Sequence, residues 1–265
     1  MEIPKAILKK LNIDTVPGYE QMLEMQVEAY NNREGDLKGY DCRICKNKGY
    51  IAKISDGNEV LSECKCMKIR ETLRRIMESG LEKQLRECTF KNYEIWAEWC
   101  NVLKDTAVRF TEKEKGFLFM GGQSGCGKTH LCTAAVGQFI KKGHSARYFV
   151  WREDSPRLKA LVNDTSYTTE INEYKKADVL YIDDLFRCRQ NRIEEVSDAD
   201  VKLAFEIIDF RARNGMLTII SSNIDIEQII DIDEALGGRI FQMSGDFCMN
   251  IPNDRNKNYR LRKIC

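Results

Sequence analysis

The sequence predicts an α/β fold, a parallel sheet flanked by helices, preceded by a small and partly helical cysteine-bearing domain. Three observations support this prediction: a glycine-rich loop between a buried strand and a helix, apolar strands that alternate with helical stretches after it, and two cysteine pairs in the first third of the chain. Alternating strands and helices favour a parallel sheet that is covered on both faces. We expect two domains, residues 1–80 and 81–265.

The composition is that of a soluble globular protein with balanced charge. Of the 265 residues, 43% are hydrophobic and 31% are charged, and the net charge is +1. This balance predicts no global attraction to nucleic acid or to a membrane surface, so DNA binding would have to come from local patches. The sequence contains no apolar run long enough to span a bilayer and no apolar signal-peptide core, so we expect a cytosolic protein without membrane contact.

Four of the eleven cysteines form two closely spaced pairs. Cys42 and Cys45 form the motif C-x-x-C, and Cys64 and Cys66 form C-x-C. Residues 46–63, which separate the two pairs, have the pattern of a β-hairpin. Four thiolates from two such knuckles can surround one Zn²⁺ ion in a zinc-ribbon-like arrangement. Because four thiolates leave no open position, the predicted role of the metal is structural. Iron–sulfur ligation, unconnected buried cysteines and disulfides are the alternatives.

A helical stretch follows the second cysteine pair. Residues 67–87 place apolar side chains, Ile69 and Leu73 among them, at helical spacing between many charges. Gly80 is predicted to break this helix, and residues 88–96 are predicted to open the second domain.

The glycine-rich loop carries a complete phosphate-binding motif. The run GGQSGCGKTH at 121–130 contains G-x-x-x-x-G-K-T between an apolar strand and a helix. Backbone N–H groups at the helix N-terminus would bind the phosphates of ATP, Lys128 would neutralise the β and γ phosphates, and Thr129 would offer its hydroxyl to Mg²⁺. The predicted nucleotide-contacting residues are Gly122, Ser124, Gly125, Cys126, Gly127, Lys128, Thr129 and His130.

Polar side chains end two further predicted strands. Asp183 and Asp184 follow the apolar strand 178–182, and Asn223 ends the strand 216–223. Asp183 is predicted to hold Mg²⁺ through its water shell, and Asp184 to polarise the attacking water. Asn223 could hydrogen-bond that water and sense the γ phosphate. The alternative for all three side chains is a role in capping turns.

Several motifs surround this core in a fixed order. They are TFKNY at 89–93, VLYIDDL at 179–185, EIIDFRARNGMLTIISSN at 206–223, LGGRIFQM at 236–243 and NYRLR at 258–262. In this order they resemble the AAA+ ATPases, and among them the bacterial and phage helicase loaders of the DnaC and DnaI type with their IstB relatives. The resemblance covers residues 88–265. It implies that Asn223 is sensor 1, that Arg239 is an arginine finger offered to a neighbouring subunit's nucleotide, and that Arg260 is sensor 2.

The resemblance also implies a function. Such a protein would load the replicative DNA helicase, gripping it through the N-terminal domain and assembling with ATP as a homo-oligomer on single-stranded DNA. An arginine finger supplied by a neighbour would make hydrolysis depend on assembly. The side chains proposed to contact the DNA strand are Tyr148, Phe149, Trp151, Arg152 and Arg157. A buried strand, predicted at residues 147–151, is the alternative explanation for the three aromatic residues.

Three other functions are compatible with the residues. A transposition helper ATPase of the IstB type would pair with a transposase, although the cysteine pairs argue against it. A P-loop phosphotransferase would need an acceptor pocket and no subunit contact. A nucleotide-gated scaffold would bind ATP without hydrolysing it, and Asp184, whose side chain is shorter than that of glutamate, leaves this alternative open.

Overall fold

The chain divides into two units, each built around its own sheet. The computed structural model describes residues 18–78, 82–187 and 192–261; the first unit ends at Leu73 and the second begins at Arg74. The predicted boundary after residue 80 lies outside these residues, as does the predicted helix break at Gly80. Within the described ranges, no helix combines the length and apolarity that a membrane crossing requires.

The N-terminal unit is a hairpin flanked by helices. Its elements are helix α1 (Tyr19–Asn32), strands β1 (Tyr50–Ser55) and β2 (Asn58–Glu63), and helix α2 (Cys66–Glu78), which runs on past the unit boundary. The strands pair antiparallel across Asp56 and Gly57, whose φ angles of 51° and 73° form the left-handed turn that an Asp-Gly pair favours. The predicted hairpin is therefore confirmed. Asn31 joins α1 to β1, because its amide group bonds both backbone polar groups of Ala52, at 2.9 and 3.0 Å.

The C-terminal unit alternates helices and strands. Its elements are α3 (Glu82–Glu87), α4 (Glu98–Lys113), β3 (Phe117–Gly122), α5 (Lys128–Lys141), β4 (Ala146–Val150), α6 (Trp151–Ala160), α7 (Tyr167–Lys175), β5 (Val179–Leu185), α8 (Asp198–Arg213), β6 (Leu217–Ser222), α9 (Ile226–Ile232), α10 (Glu234–Ser244) and β7 (Cys248–Ile251). The five strands β3 to β7 form one parallel sheet in the order β4-β5-β6-β3-β7. The predicted parallel α/β sheet is confirmed.

This order positions the functional residues. Strand β3 precedes the glycine-rich loop, β5 carries the two aspartates, and β6 precedes Asn223. Strand β6 pairs with both β3 and β5, so the carboxyl ends of all three strands lie side by side at one edge of the sheet. In open parallel sheets, ligands bind at this edge.

Among the described residues of the C-terminal unit, Arg211 is a charged side chain that is fully buried. Arg211 of α8 donates through Nε to the Thr218 hydroxyl at 2.9 Å and through its terminal nitrogens to backbone carbonyls, among them Tyr174 at 3.0 Å, Ala177 at 2.8 Å and Leu217 at 2.5 Å. Burial lowers its pKa to about 9, as expected for a cation removed from water. The guanidinium thus joins the end of α7 to the start of β6.

Candidate nucleotide site and cysteine cluster

The loop between β3 and α5 requires glycine at defined positions. Gly122 and Gly127 have φ angles of 99° and 94°, which side chains rarely adopt. A Cβ at Gly122 would lie 2.1 Å from the carbonyl oxygen of Ile251, and one at Gly127 would lie 2.7 Å from the ring of Tyr93. The glycines of the motif therefore let the loop curve tightly against the sheet and against the segment that precedes α4.

Lys128 is held inside this loop. Its side chain is buried, and its Nζ atom donates to the backbone carbonyls of Gly122 and Gln123, both at 2.7 Å. Burial lowers the pKa of the ammonium group, because charge is disfavoured away from water. An ammonium held by loop carbonyls can turn to phosphate oxygens, which would stabilise its charge better than neutral carbonyl groups do.

A cavity of about 440 Å³ opens over the loop. This volume lies within the range of small-molecule and cofactor sites. Among the predicted site residues, those that line it are Ser124, Gly125, Cys126, Gly127, Lys128, Thr129, His130, Asp184 and Arg260. The predicted residues Gly122, Asp183, Asn223 and Arg239 are not among its lining residues.

Thr129 and Asp183 lie together at the edge of the sheet. The Thr129 hydroxyl is 3.3 Å from Asp183 Oδ1, although 54 positions separate the two residues along the chain. Magnesium prefers carboxylate and hydroxyl oxygens and keeps several of its waters, so this pair suits the ion. Asp183 also accepts hydrogen bonds from the hydroxyls of Tyr181 and Ser221, each at 2.6 Å.

Asp184 has a different environment from Asp183. Its φ of 57° is left-handed, and its backbone N–H donates to the Ser221 hydroxyl at 3.1 Å. Burial, and then the negative charge of Asp183, raises the pKa of its carboxyl group, which makes it a stronger proton acceptor. Arg187, which also lines the cavity, lies 3.7 Å from Asp184 Oδ2.

The three residues assigned by resemblance lie in different surroundings. Asn223 is buried and directly follows β6, next to the strand of the two aspartates. Arg260 lies in the short helix Tyr259–Leu261 and lines the cavity of its own chain. Arg239 of α10 is instead partly exposed and forms an ion pair with Asp209 of α8 at 2.8 Å.

Several cavity residues carried no assigned role in the sequence interpretation. Tyr93 donates to the carbonyl of Cys126 at 3.4 Å, and its ring contacts His130 edge-on at 5.4 Å. Tyr259 donates through its hydroxyl to Glu94 Oε2 at 2.6 Å and through its backbone N–H to the carbonyl of Gly125 at 2.9 Å. The TFKNY motif gave the position of Tyr93, but its spacing gave no sign of contact with the loop.

The aromatic residues proposed for DNA contact need correction. Strand β4 ends at Val150, one residue earlier than predicted, and Trp151 begins α6. Phe149 and Trp151 are buried in the core, so the prediction that they stack on bases is wrong. Tyr148 packs edge-on against Tyr181, with ring centroids 5.0 Å apart. The buried-strand alternative explains Tyr148 and Phe149, whereas Trp151 is buried at the start of α6.

The four paired cysteines of the N-terminal unit converge. All are buried, and their Sγ atoms lie within 4.8 Å of one another, with Cys42 to Cys64 at 3.8 Å and Cys45 to Cys66 at 3.4 Å. None of the four is in a disulfide. Zn–S bonds of about 2.3 Å in a tetrahedron place sulfurs roughly 3.8 Å apart, so the cluster fits zinc.

The backbone around the first pair shapes this cluster. Lys46 and Asn47 have φ angles of 49° and 65°, and the N–H of Gly49 donates to Cys45 Sγ at 3.3 Å. Burial raises the pKa of Cys66 to about 12, and a bound cation would favour the thiolate form of this side chain. Cys42 is fixed by its N–H, which donates to the Asn47 side chain at 2.9 Å.

Sheet order, phosphate loop and paired acids define the chain as a P-loop ATPase of the AAA+ class. The chain belongs to the family described as IstB-like ATP binding protein, which matches residues 64–262. The family predicted from the motifs is therefore confirmed.

One relative is similar in sequence over most of the chain, and solved structures share its fold. The phage-like element PBSX protein XkdC of Bacillus subtilis (strain 168) is 31% identical over 245 residues, covering 87% of this chain and 90% of XkdC. The crystal structure of the DnaC helicase loader superposes with a TM-score of 0.53 at 24% identity, over 65% of this chain and 99% of that one. The replication initiator DnaA bound to AMPPCP and single-stranded DNA gives 0.51 at 18%, over 67% of this chain and 55% of that one. This chain thus spans about half the length of that DnaA chain.

Proposed function

We propose that the protein is an ATP-dependent loader of a replicative DNA helicase. The observation that carries this proposal is a nucleotide cavity in an AAA+ unit that is joined to a separate unit built around a cysteine cluster. The family match and the likeness in fold to the DnaC helicase loader support it. In this proposal ATP binding controls assembly, and the N-terminal unit grips the helicase.

The nucleotide site supplies the chemistry of the cycle. Mg²⁺, held by Thr129 and Asp183, would neutralise charge on the β and γ phosphates. Lys128 would turn from the loop carbonyls to these phosphates, and Asp184 would accept a proton from the attacking water. Asn223 would orient that water from the end of the neighbouring strand.

The position of Arg239 supports hydrolysis that depends on assembly. Its partly exposed guanidinium is bound by Asp209 and is not among the groups that line the cavity of its own chain. An arginine placed in this way can reach the γ phosphate of a neighbouring subunit, where it would stabilise the developing negative charge. Arg260 would contact the nucleotide within its own chain.

The N-terminal unit offers a surface for a protein partner. Helix α1 exposes Tyr19, Met22 and Met25, with exposed fractions of 68%, 49% and 62%, at a spacing of three residues that places them along one side. Exposed apolar groups of this size mark interaction sites, and methionine adapts to varied partners. Zinc bound by the four cysteines would hold this small unit in shape.

Contact with single-stranded DNA is part of the proposal, but its residues differ from the aromatic set first considered. Arg152 and Arg157 remain the proposed contacts from that set. Arg157 is 46% exposed at its side chain and pairs with Glu170 at 2.7 Å, an ion pair that a phosphate could displace. The DnaA structure with single-stranded DNA has the same fold, which supports this part of the proposal.

The test is capture of the helicase by the full-length chain. The purified protein is immobilised and incubated with the replicative helicase of its source organism, with ATP, with ADP and without nucleotide. We expect the wild-type chain to capture the helicase. The double variant with Met22→Asp and Met25→Asp should lose this capture. The matched control, Val102→Asp with Val162→Asp, changes two exposed apolar residues of the other unit, with exposed fractions of 50% and 55%, and should leave capture intact.

The second candidate is a transposition helper ATPase of the IstB type, because the family that matches the chain is described as IstB-like ATP binding protein. It predicts capture of a transposase and no capture of the helicase in the same assay. A phosphotransferase predicts an ATPase rate per chain that is independent of protein concentration, whereas a loader with a finger in trans predicts a rate that rises with concentration. Absence of helicase capture by the wild-type chain would refute the loader proposal.

A further inference from the structure

The Asp183 carboxylate is held by hydroxyl groups from three elements. Its Oδ1 atom accepts from Tyr181 of β5 at 2.6 Å, from Ser221 of β6 at 2.6 Å and from Thr129 of α5 at 3.3 Å. Tyr181 and Ser221 are completely buried. Within the described residues, the hydrogen bonds to this carboxylate all fall on Oδ1, so the lone pairs of Oδ2 are available to a ligand.

Ser221 touches both aspartates. Its single hydroxyl proton goes to Asp183 Oδ1, and its oxygen accepts the backbone N–H of Asp184 at 3.1 Å. Tyr181 completes the group, because its hydroxyl lies 3.2 Å from Ser221 Oγ. One hydroxyl on the neighbouring strand thus fixes the carboxylate of one acid and the backbone of the other.

Asp184 needs such a contact. A residue other than glycine with left-handed φ, here 57°, is in a sparsely populated conformation and persists only where its surroundings hold it. The register between β5 and β6 is irregular between Ile182 and Leu185, so the regular ladder does not hold this residue. The Ser221 hydroxyl supplies the missing backbone partner.

We propose that Ser221 and Tyr181 are positioning residues that orient Asp183 toward Mg²⁺, and that Ser221 also fixes the backbone of Asp184. This inference rests on the proposed Mg²⁺ site of Thr129 and Asp183. Hydrogen bonds to a carboxylate are directional, and two short ones from buried groups restrict its rotation. The Asp183 carboxylate would therefore already be oriented when Mg²⁺ binds, which would avoid the entropy cost of ordering it.

The experiment measures how much Mg²⁺ tightens nucleotide binding. The full-length chain is titrated with a ribose-labelled fluorescent ATP analogue, once with excess Mg²⁺ and once with EDTA, and the ratio of the two dissociation constants is the readout. We expect Ser221→Ala and Tyr181→Phe each to lower this ratio by about tenfold, the value of one hydrogen bond to a charged group. Binding in EDTA should change less than about twofold, because the loop is untouched.

Two variants distinguish a loss of Asp183 positioning from general damage to the fold. Ser222→Ala removes a hydroxyl that is equally buried on the same strand but donates to the carbonyl of Leu185 at 2.7 Å, and it should keep the wild-type ratio. Ser221→Thr keeps the hydroxyl and should restore most of the ratio lost in Ser221→Ala. Melting curves identify variants that fold, and Tyr181→Phe, which keeps its ring, provides the test if Ser221→Ala unfolds.

The outcomes distinguish failure of the positioning roles of Ser221 and Tyr181 from failure of the Mg²⁺ site itself. If wild-type binding is tightened by Mg²⁺ and the folded Tyr181→Phe and Ser221→Ala variants keep the ratio within about twofold, the positioning roles are refuted. If wild-type binding does not respond to Mg²⁺ at all, the metal site of Thr129 and Asp183 is refuted and the inference falls with it.

Discussion

Replacing Arg211 by methionine should destabilise the C-terminal unit severely. The guanidinium donates to the Thr218 hydroxyl and to the carbonyls of Tyr174, Lys175, Ala177 and Leu217, and methionine would leave these acceptors buried without that donor. Methionine keeps much of the apolar packing of the side chain, so the effect isolates the hydrogen bonds.

The magnitude follows from the number of acceptors and from the cost of burying a cation. A buried acceptor that loses its partner costs about 1–3 kcal/mol, but removing the cation also removes its desolvation penalty. Five neutral acceptors lose this donor, and after the gain from no longer burying a cation we expect a net loss of about 3–5 kcal/mol. For a unit of this size, each kcal/mol lowers the melting temperature by roughly 2–4 °C, so we expect a fall of about 6–20 °C.

Urea denaturation followed by circular dichroism measures this loss. The matched control is Arg213→Met, two residues further along the same helix, where the side chain is 66% exposed and pairs with Asp209 at 2.7 Å. An exposed pair of this kind contributes less than about 1 kcal/mol. Equal small losses in both variants would refute the idea that Arg211 joins α7 to β6.

Four further predictions concern the site. Lys128→Ala should weaken ATP binding at least about tenfold in a fluorescence titration, since it removes a charge-assisted contact to phosphate; affinity near the wild-type value would contradict its role. Asp184→Asn should keep ATP binding and slow hydrolysis by about a hundredfold or more, as loss of a general base does, while Asp184→Glu retains turnover. Arg239→Ala should bind ATP normally but lose the rise in turnover with protein concentration, and a normal rise would exclude the finger. Metal analysis should find about one zinc per chain, lost in Cys42→Ser with Cys45→Ser; a chain without metal would disprove the cluster's role.

The sequence predicted those parts of the site that one short segment determines. The phosphate loop needs glycine, lysine and threonine at fixed spacing, and the two cysteine pairs sit at the ends of one hairpin, so both could be predicted without the tertiary structure. The sheet followed from the alternation of apolar strands and helices.

Residues whose role depends on a distant strand could not be predicted in this way. Ser221 and Tyr181 are 40 positions apart and meet only because β5 pairs with β6. Arg211 lies in a helix rich in charged residues, and only the structure places it inside the core. The aromatic residues of β4 were open to two interpretations, because a strand covered on both faces carries large apolar side chains without alternation.

The boundary between β4 and α6 has a local cause. The Asp154 carboxylate accepts the backbone N–H of Val150 at 2.8 Å, so a side chain satisfies a group at the N-terminus of the helix. The strand therefore ends at Val150 rather than Trp151. Asp154 is the fourth residue of α6, a position that the simple capping pattern does not include.

Asp209 divides its two carboxylate oxygens between two arginines, Oδ2 to Arg213 at 2.7 Å and Oδ1 to Arg239 at 2.8 Å. If Arg239 leaves to serve a neighbouring subunit, Asp209 keeps one cation and its charge stays compensated. Release of a partly exposed ion pair of this kind costs less than about 1 kcal/mol, or under tenfold in an equilibrium constant. In a chain without a neighbouring subunit, Asp209 can therefore keep Arg239 ordered, although the ion pair breaks at little cost. Moderate salt should favour breaking of the pair.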